Sequence, residues 1–217
     1  MNTTHRKILW ISIGLLAAFA LWTVALRYID VAPIGPRDSS VGFATVNGFF
    51  HRLTGVHMTL YVVTDWLGLV PIAVAFGFAI LGLVQWIRRR HILRVDRSIL
   101  MLGGFYLIVM AVYILFEYIV INRRPILIDG YLEASYPSST TMLVMCVMPT
   151  AMMQCNARIK KDTARRCVAA VIVAFTAFMV IGRLLSGVHW LTDIVGGSLF
   201  STGIVLLYHR LAINERK

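Results

Sequence analysis

Six stretches of this chain, residues 8–26, 66–87, 98–116, 134–157, 167–182 and 194–208, contain no Lys, Arg, Asp or Glu. A helix crossing a bilayer needs about 20 residues, with a lower limit near 17. Four of the runs reach that length unaided, and the last two reach it by taking in polar residues at their rims. With 59% hydrophobic and 14% charged residues the chain has too little charge to cover the surface of a soluble domain. The expected fold is therefore all-α and polytopic. One integral membrane domain covers 1–217, with spans near 8–27, 58–87, 98–118, 138–157, 165–183 and 190–208. Arg6 and Lys7 precede the first run as they would in a signal peptide. The poor cleavage context around Arg27 and the length of the run favour a retained anchor.

Charge sets the expected orientation. Segments 1–7, 88–97, 158–166 and 209–217 hold 2, 5, 5 and 3 basic residues, fifteen of the 21 Lys and Arg, with only Asp96, Asp162 and Glu215 as acids. The other side has Arg27, Arg37, Arg52, Arg123, Arg124 and Arg183 with seven acids. The positive-inside rule puts the basic side and both termini in the cytoplasm of a multi-pass cell-membrane protein. A net charge of +11 does not here imply a nucleic-acid partner. The charges sit in short loops at helix ends, where they set topology and touch anionic membrane lipids. Cys146, Cys155 and Cys167 lie in or beside apolar runs without paired ligand spacing, so they read as packing residues. Neither a metal nor another cofactor is expected.

Three polar clusters fall on the non-cytoplasmic side. The first outer connection, about 28–55, contains Pro33, Pro36 and several Gly and Asp residues, and is too irregular to lie in hydrocarbon. A short surface helix fits it, and 53–64 could instead begin the second span. The second connection, about 118–137, carries Asn122, Arg123, Arg124, Asp129, Tyr131, Glu133 and Tyr136, with Pro125 and Gly130 as helix breakers. Ser138, Ser139 and Thr140 follow Pro137 at a helix start, where hydroxyls and unpaired N–H groups meet an anion. The third connection, around 183–188, turns at Gly187.

The third cluster suggests chemistry. His189 and Asp193 are four apart, hence on one helix face. A carboxylate on one ring nitrogen fixes the tautomer and leaves the other nitrogen free to attack. Arg124 and Arg183 can clamp phosphate oxygens. Each of these residues also has an ordinary reading: a structural His–Asp pair, interface-anchoring arginines and N-capping serines.

The clusters resemble those of the type-2 phosphatidic acid phosphatase family, six-helix membrane phosphatases related to the vanadium haloperoxidases. That family carries Lys–x6–Arg–Pro, Pro–Ser–Gly–His and Ser–Arg–x5–His–x3–Asp. Here stand Glu117–x6–Arg124–Pro125, Pro137–Ser138–Ser139–Thr140 and Gly182–Arg183–x5–His189–x3–Asp193. The resemblance implies a six-transmembrane-helix bundle of that type. It makes Arg124, Arg183, Ser138, Ser139 and Thr140 the phosphate-binding set, His189 the nucleophile and Asp193 its orienting group. It departs where Glu117, Ser139, Gly182 and Thr140 replace the family's Lys, Gly, Ser and leaving-group His. Thr140 cannot act as an acid near neutral pH. Such acid catalysis is typically worth about 10²–10⁴-fold. The proton could come from His51, His57, Asp129 or Glu133, or a diphosphate substrate could do with little protonation. His51 and His57 otherwise read as interface or packing residues, and Tyr131 and Tyr136 as the frame of a pocket entrance. The function expected is hydrolysis of a lipid phosphate or lipid diphosphate on the outer face, through a phosphohistidine. The alternatives are a phosphotransferase of the same fold, or a non-hydrolytic binder or carrier of phospholipid or polyprenyl phosphate.

Overall fold

The uncharged runs do form helices. A computed structural model describes residues 3–213, and their order is α1 (Thr3–Tyr28), α2 (Ala44–Thr54), α3 (Met58–Leu67), α4 (Leu69–Arg89), α5 (Arg97–Tyr118), α6 (Ser139–Arg158), α7 (Asp162–Leu185) and α8 (Leu191–Ile213). Two single 3-10 turns, Pro36–Asp38 and Ile92–Arg94, lie in the connections. Helices α3 and α4 act as one span, Met58–Arg89, interrupted around Gly68. Pro71 has no N–H for the Leu67 carbonyl one turn back, so the ladder is cut there.

Among the described residues five spans are long and apolar enough to cross a membrane: α1, the α3–α4 pair, α5, α7 and α8. Helix α6 is not among them, and its position explains why. It packs against α4, α5, α7 and α8 and so faces protein rather than lipid. A central helix can carry polar groups as long as each finds a partner. Thr150 donates to the carbonyl of Cys146 at 2.8 Å and lies 3.0 Å from the Tyr106 hydroxyl, while Gln154 bonds the Tyr208 hydroxyl. Around α6 lie two apolar clusters. Leu102, Phe105, Met142, Cys146, Phe200 and Ile204 fill the space between α5, α6 and α8, and Val144, Met148, Ile172 and Met179 that between α6 and α7. Large apolar side chains on the outward faces, such as Leu21, Ile87, Leu107 and Val171, are exposed and suit lipid contact.

The two ends of the bundle differ. At one, the basic end, Asp96 accepts from Gln85 at 2.8 Å and pairs with Arg89 at 3.0 Å and Arg158 at 3.7 Å. At the other end the connections 28–55, 118–137 and 183–188 meet. The first of them folds as α2, and its buried Asn47 donates to the Gly42 carbonyl at 2.8 Å and the Thr192 hydroxyl at 2.9 Å. That ties the connection to the start of α8.

Candidate active site

The second connection positions most of the site, because it is a hairpin. Arg123 and Ala134 bridge antiparallel, as do Ile128 and Tyr131. The two residues between the inner pair, Asp129 and Gly130, both take positive φ (48° and 80°). Asp-Gly is the pair a tight two-residue hairpin turn selects, since its first residue tolerates the left-handed region and its second has no Cβ to oppose it. The pairing puts the Arg124 N–H on the Glu133 carbonyl at 3.1 Å and the Ser135 N–H on the Asn122 carbonyl at 3.0 Å. Arg124 and Ser135 are thus delivered together to the mouth of the bundle, and both are buried.

Helix α6 begins beside the hairpin. Ser138 is its N-cap, accepting from the Thr141 N–H at 3.4 Å, while the Ser138 N–H donates to the Asp193 carbonyl at 3.2 Å. Helix α8 approaches closely here, because a Cβ on Gly196 would lie 2.3 Å from the Tyr136 ring. Tyr136 is buried, its hydroxyl 2.7 Å from that of Thr23 on α1. Burial pushes its pKa above the ordinary tyrosine value.

His189 and Asp193 sit at the entrance to α8, with 4% and 0% of their surfaces exposed. Their closest approach is 3.7 Å, Nδ1 to Oδ2, which is too long for a hydrogen bond. Ser135 lies between them. Its hydroxyl donates to Asp193 Oδ2 and is 3.2 Å from His189 Nδ1. Oδ2 also accepts from the Trp190 N–H at 2.8 Å. The other ring nitrogen, Nε2, is buried and has no hydrogen-bond partner among the described residues. Burial, reinforced by the charges of Arg124 and Arg183, lowers the His189 pKa from 6.5 to about 4, against the opposing pull of Asp193.

The two arginines are both buried, and each is held by a carboxylate. Arg124 Nε lies 3.0 Å from Glu133 Oε2. Arg183 donates to Asp65 Oδ1 at 2.8 Å and to the Thr140 hydroxyl at 2.6 Å, with its guanidinium 4.9 Å from the centre of the Tyr61 ring. Asp65 reaches Arg183 because α3 packs hard against α7. At Gly182 a Cβ would meet the Thr64 methyl at 2.8 Å, so a side chain there would push α3 away.

One cavity gathers His189, Arg124, Ser135, Tyr136, Ser139, Tyr113 and Glu117. Glu117, at the position where the resemblance expects Lys, thus stands on the wall of the same cavity as the nucleophile candidate. Arg183 and Thr140 form a second group joined to each other. Glu133 joins the first group through Arg124, whereas His51, His57, Asp129 and Tyr131 are not among the residues that line the cavity. His51 Nε2 is 3.2 Å from the Gly187 carbonyl and its ring is 5.5 Å from that of Trp190, and His57 Nε2 is 2.9 Å from the Thr54 carbonyl. Asp129 and Tyr131 are exposed at the hairpin tip. Sequence reasoning did not single out Ser135 or Asp65. The Asp-Gly turn could have revealed the first, since it fixes which residues face each other across the hairpin. Nothing local marks the second, which is brought in by helix packing.

The described residues contain no group of three or more His, Cys, Asp or Glu able to hold a metal ion. Fold and site together define a helical membrane protein with a buried His–Ser–Asp cluster and two carboxylate-paired arginines at one end. Residues 118–217 match the family model of the PAP2 superfamily. Among solved structures, the chain is similar to a transmembrane PAP2-type phosphatidylglycerolphosphate phosphatase from Bacillus subtilis. The TM-score is 0.61 at 17% identity, over 96% of this chain and 98% of that one. No curated protein matches the chain in sequence. The likeness confirms the all-α, polytopic membrane fold expected from the uncharged runs.

Proposed function

We propose that the protein is a membrane phosphatase acting on a lipid phosphate or lipid diphosphate, with His189 as the nucleophile. The observation that carries this reading is His189 Nε2. It is buried and unpartnered, in a ring that lines one cavity with Arg124 while Asp193 stands behind its other nitrogen. A neutral imidazole in that setting has its lone pair available at neutral pH. In the reaction, the Nε2–P bond forms as the bond to the leaving oxygen breaks. Water then attacks phosphorus, the P–N bond breaks, phosphate departs and the ring lone pair is restored. Arg124 and Arg183 stabilise charge on the equatorial oxygens by exchanging part of their contact with Glu133 and Asp65 for phosphate.

The leaving oxygen needs a proton or must be a good leaving group in itself. Thr140 is held by Arg183 and donates no acidic proton, so lipid diphosphates, which expel a phosphate, fit best. The site faces the non-cytoplasmic side, both termini lie in the cytoplasm, and the lipid tail stays among the helices. The partners are this substrate and the membrane lipids around it.

Purified protein in micelles, given lipid monophosphates and diphosphates in turn, tests the reading. Phosphate release from the diphosphate by wild type, and its loss in His189→Ala, is the expected result. Equal inactivity of both proteins on both classes refutes it. A second reading has one observation in its favour. Both arginines are already neutralised by carboxylates and the acid position holds Thr140, which suits a protein that binds a phospholipid-like ligand without cleaving it. Such a protein keeps ligand binding in His189→Ala.

A further inference from the structure

We infer that Ser135 is the positioning residue that couples Asp193 to His189 and fixes the tautomer of the ring. This rests on the role proposed for His189 and goes beyond it, since the carboxylate does not reach the imidazole by itself. The separation of 3.7 Å between Nδ1 and Oδ2 exceeds hydrogen-bond range. The Ser135 hydroxyl bonds Oδ2 on one side and stands 3.2 Å from Nδ1 on the other.

Proton counting settles the direction of each bond. An ionised carboxylate can only accept, so the single hydroxyl proton of Ser135 goes to Asp193. The oxygen has lone pairs left for Nδ1, and that contact becomes a hydrogen bond only when the ring donates. The proton of the neutral imidazole therefore sits on Nδ1 and the lone pair on Nε2. Oδ2 is anchored from a third direction by the Trp190 N–H at 2.8 Å, so the acceptor cannot swing away. All three side chains are buried, which shields the relay from water that would scramble the tautomers.

The hairpin ties this relay to phosphate binding. The Ser135 N–H is held by the Asn122 carbonyl and the Arg124 N–H by the Glu133 carbonyl. One turn, Asp129–Gly130, thus sets the register of both the tautomer-fixing hydroxyl and a phosphate-holding guanidinium. A shift of one residue in that register would turn both side chains to the opposite face.

The test uses the full chain in micelles with ¹⁵N-labelled histidine, and His189→Gln assigns the His189 ring signals. At neutral pH wild type is expected to show one neutral tautomer with the proton on Nδ1. Ser135→Ala is expected to give a mixture with substantial Nε2–H, and Ser135→Thr, which retains the hydroxyl, to keep the wild-type pattern. Asp193→Ala is a second arm if Ser135→Ala folds poorly. It leaves no carboxylate to take the hydroxyl proton, so the hydroxyl turns to Nδ1 and part of the ring population moves its proton to Nε2. An Nδ1–H pattern unchanged in Ser135→Ala, or in Asp193→Ala, overturns the inference.

Kinetics give a separate readout. Ser135→Ala is expected to lower kcat roughly 10–100-fold, the size of effect seen when a metal-bound imidazole loses the group that orients it, with KM little changed. The Ser135→Ala, Asp193→Ala double variant should be no slower than Asp193→Ala alone, because the two act as one unit. Additive losses overturn the coupling. If wild type turns over no phosphate ester, the phosphatase reading fails while the tautomer measurement still decides the role of Ser135.

Discussion

Acidification is the perturbation that probes the candidate site most directly, because the His189 ring is buried among cations. A pKa lowered from 6.5 to about 4 corresponds to on the order of 3 kcal/mol in favour of the neutral ring. At pH 5.5 the folded protein should keep most of this imidazole neutral, whereas an ordinary one is mostly protonated. The consequence for stability has a definite sign. Between the folded and unfolded values the unfolded chain binds the extra proton, so stability falls as pH drops from about 6.5 to about 4 and levels off below. The assay is a ¹⁵N ring titration of His189 in micelles, paired with thermal melting over the same range. The acid limb of kcat/KM should follow near pH 4 once it is corrected for the phosphate ester's own ionisation, near pH 6. Removing a cation checks the cause, since Arg124→Ala should raise the midpoint. A midpoint at or above 6.5 in wild type would refute the reasoning. It would mean that Asp193 outweighs burial, and that the ring is charged rather than nucleophilic in the mildly acidic range.

Asp65→Asn removes the carboxylate 2.8 Å from Arg183, so inorganic phosphate should inhibit several-fold more strongly, read from product-inhibition constants; weaker inhibition would contradict a phosphate role for Arg183. Gly196→Ala puts a methyl 2.3 Å from the fixed Tyr136 ring, and overpacking of this kind costs about 1–3 kcal/mol, measurable as a lower melting temperature. At Gly187, φ is 70° and a Cβ would come 2.1 Å from the Gly55 carbonyl. Gly187→Ala should therefore destabilise the turn before His189 and lower kcat more than it raises KM. At the basic end, partial burial alone would raise the Asp96 pKa, but hydrogen bonds from Gln85 and Arg89 and the charges of Arg89 and Arg158 hold it below the usual value. Its contribution to stability should be present above about pH 4, the ordinary aspartate pKa, and be lost as pH falls further, a step that Asp96→Asn should abolish in acid melting curves.

How much of this was legible depended on the range of the forces involved. The helices were written in the uncharged runs because hydrocarbon imposes one rule on every lipid-facing position. Helix α6 obeys a different rule. Its partners are α4, α5, α7 and α8, and its run of 134–157 told its length but not that it would sit inside. The paired motifs around Arg124, Ser138 and His189 could be read because each lies within a few residues of a helix end. What escaped was long-range. Asp65 reaches Arg183 from 118 positions away in the chain, through a helix contact that depends on the missing side chain of Gly182. Its effect on function is the larger surprise. The His–x3–Asp spacing suggested a direct bond, yet at the entrance to α8 the pair stands 3.7 Å apart, leaving room for a hydroxyl. That hydroxyl comes from a hairpin whose only sequence mark is Asp129–Gly130. Spacing along a helix fixes which residues share a face, but whether they touch is decided by what the rest of the fold inserts between them.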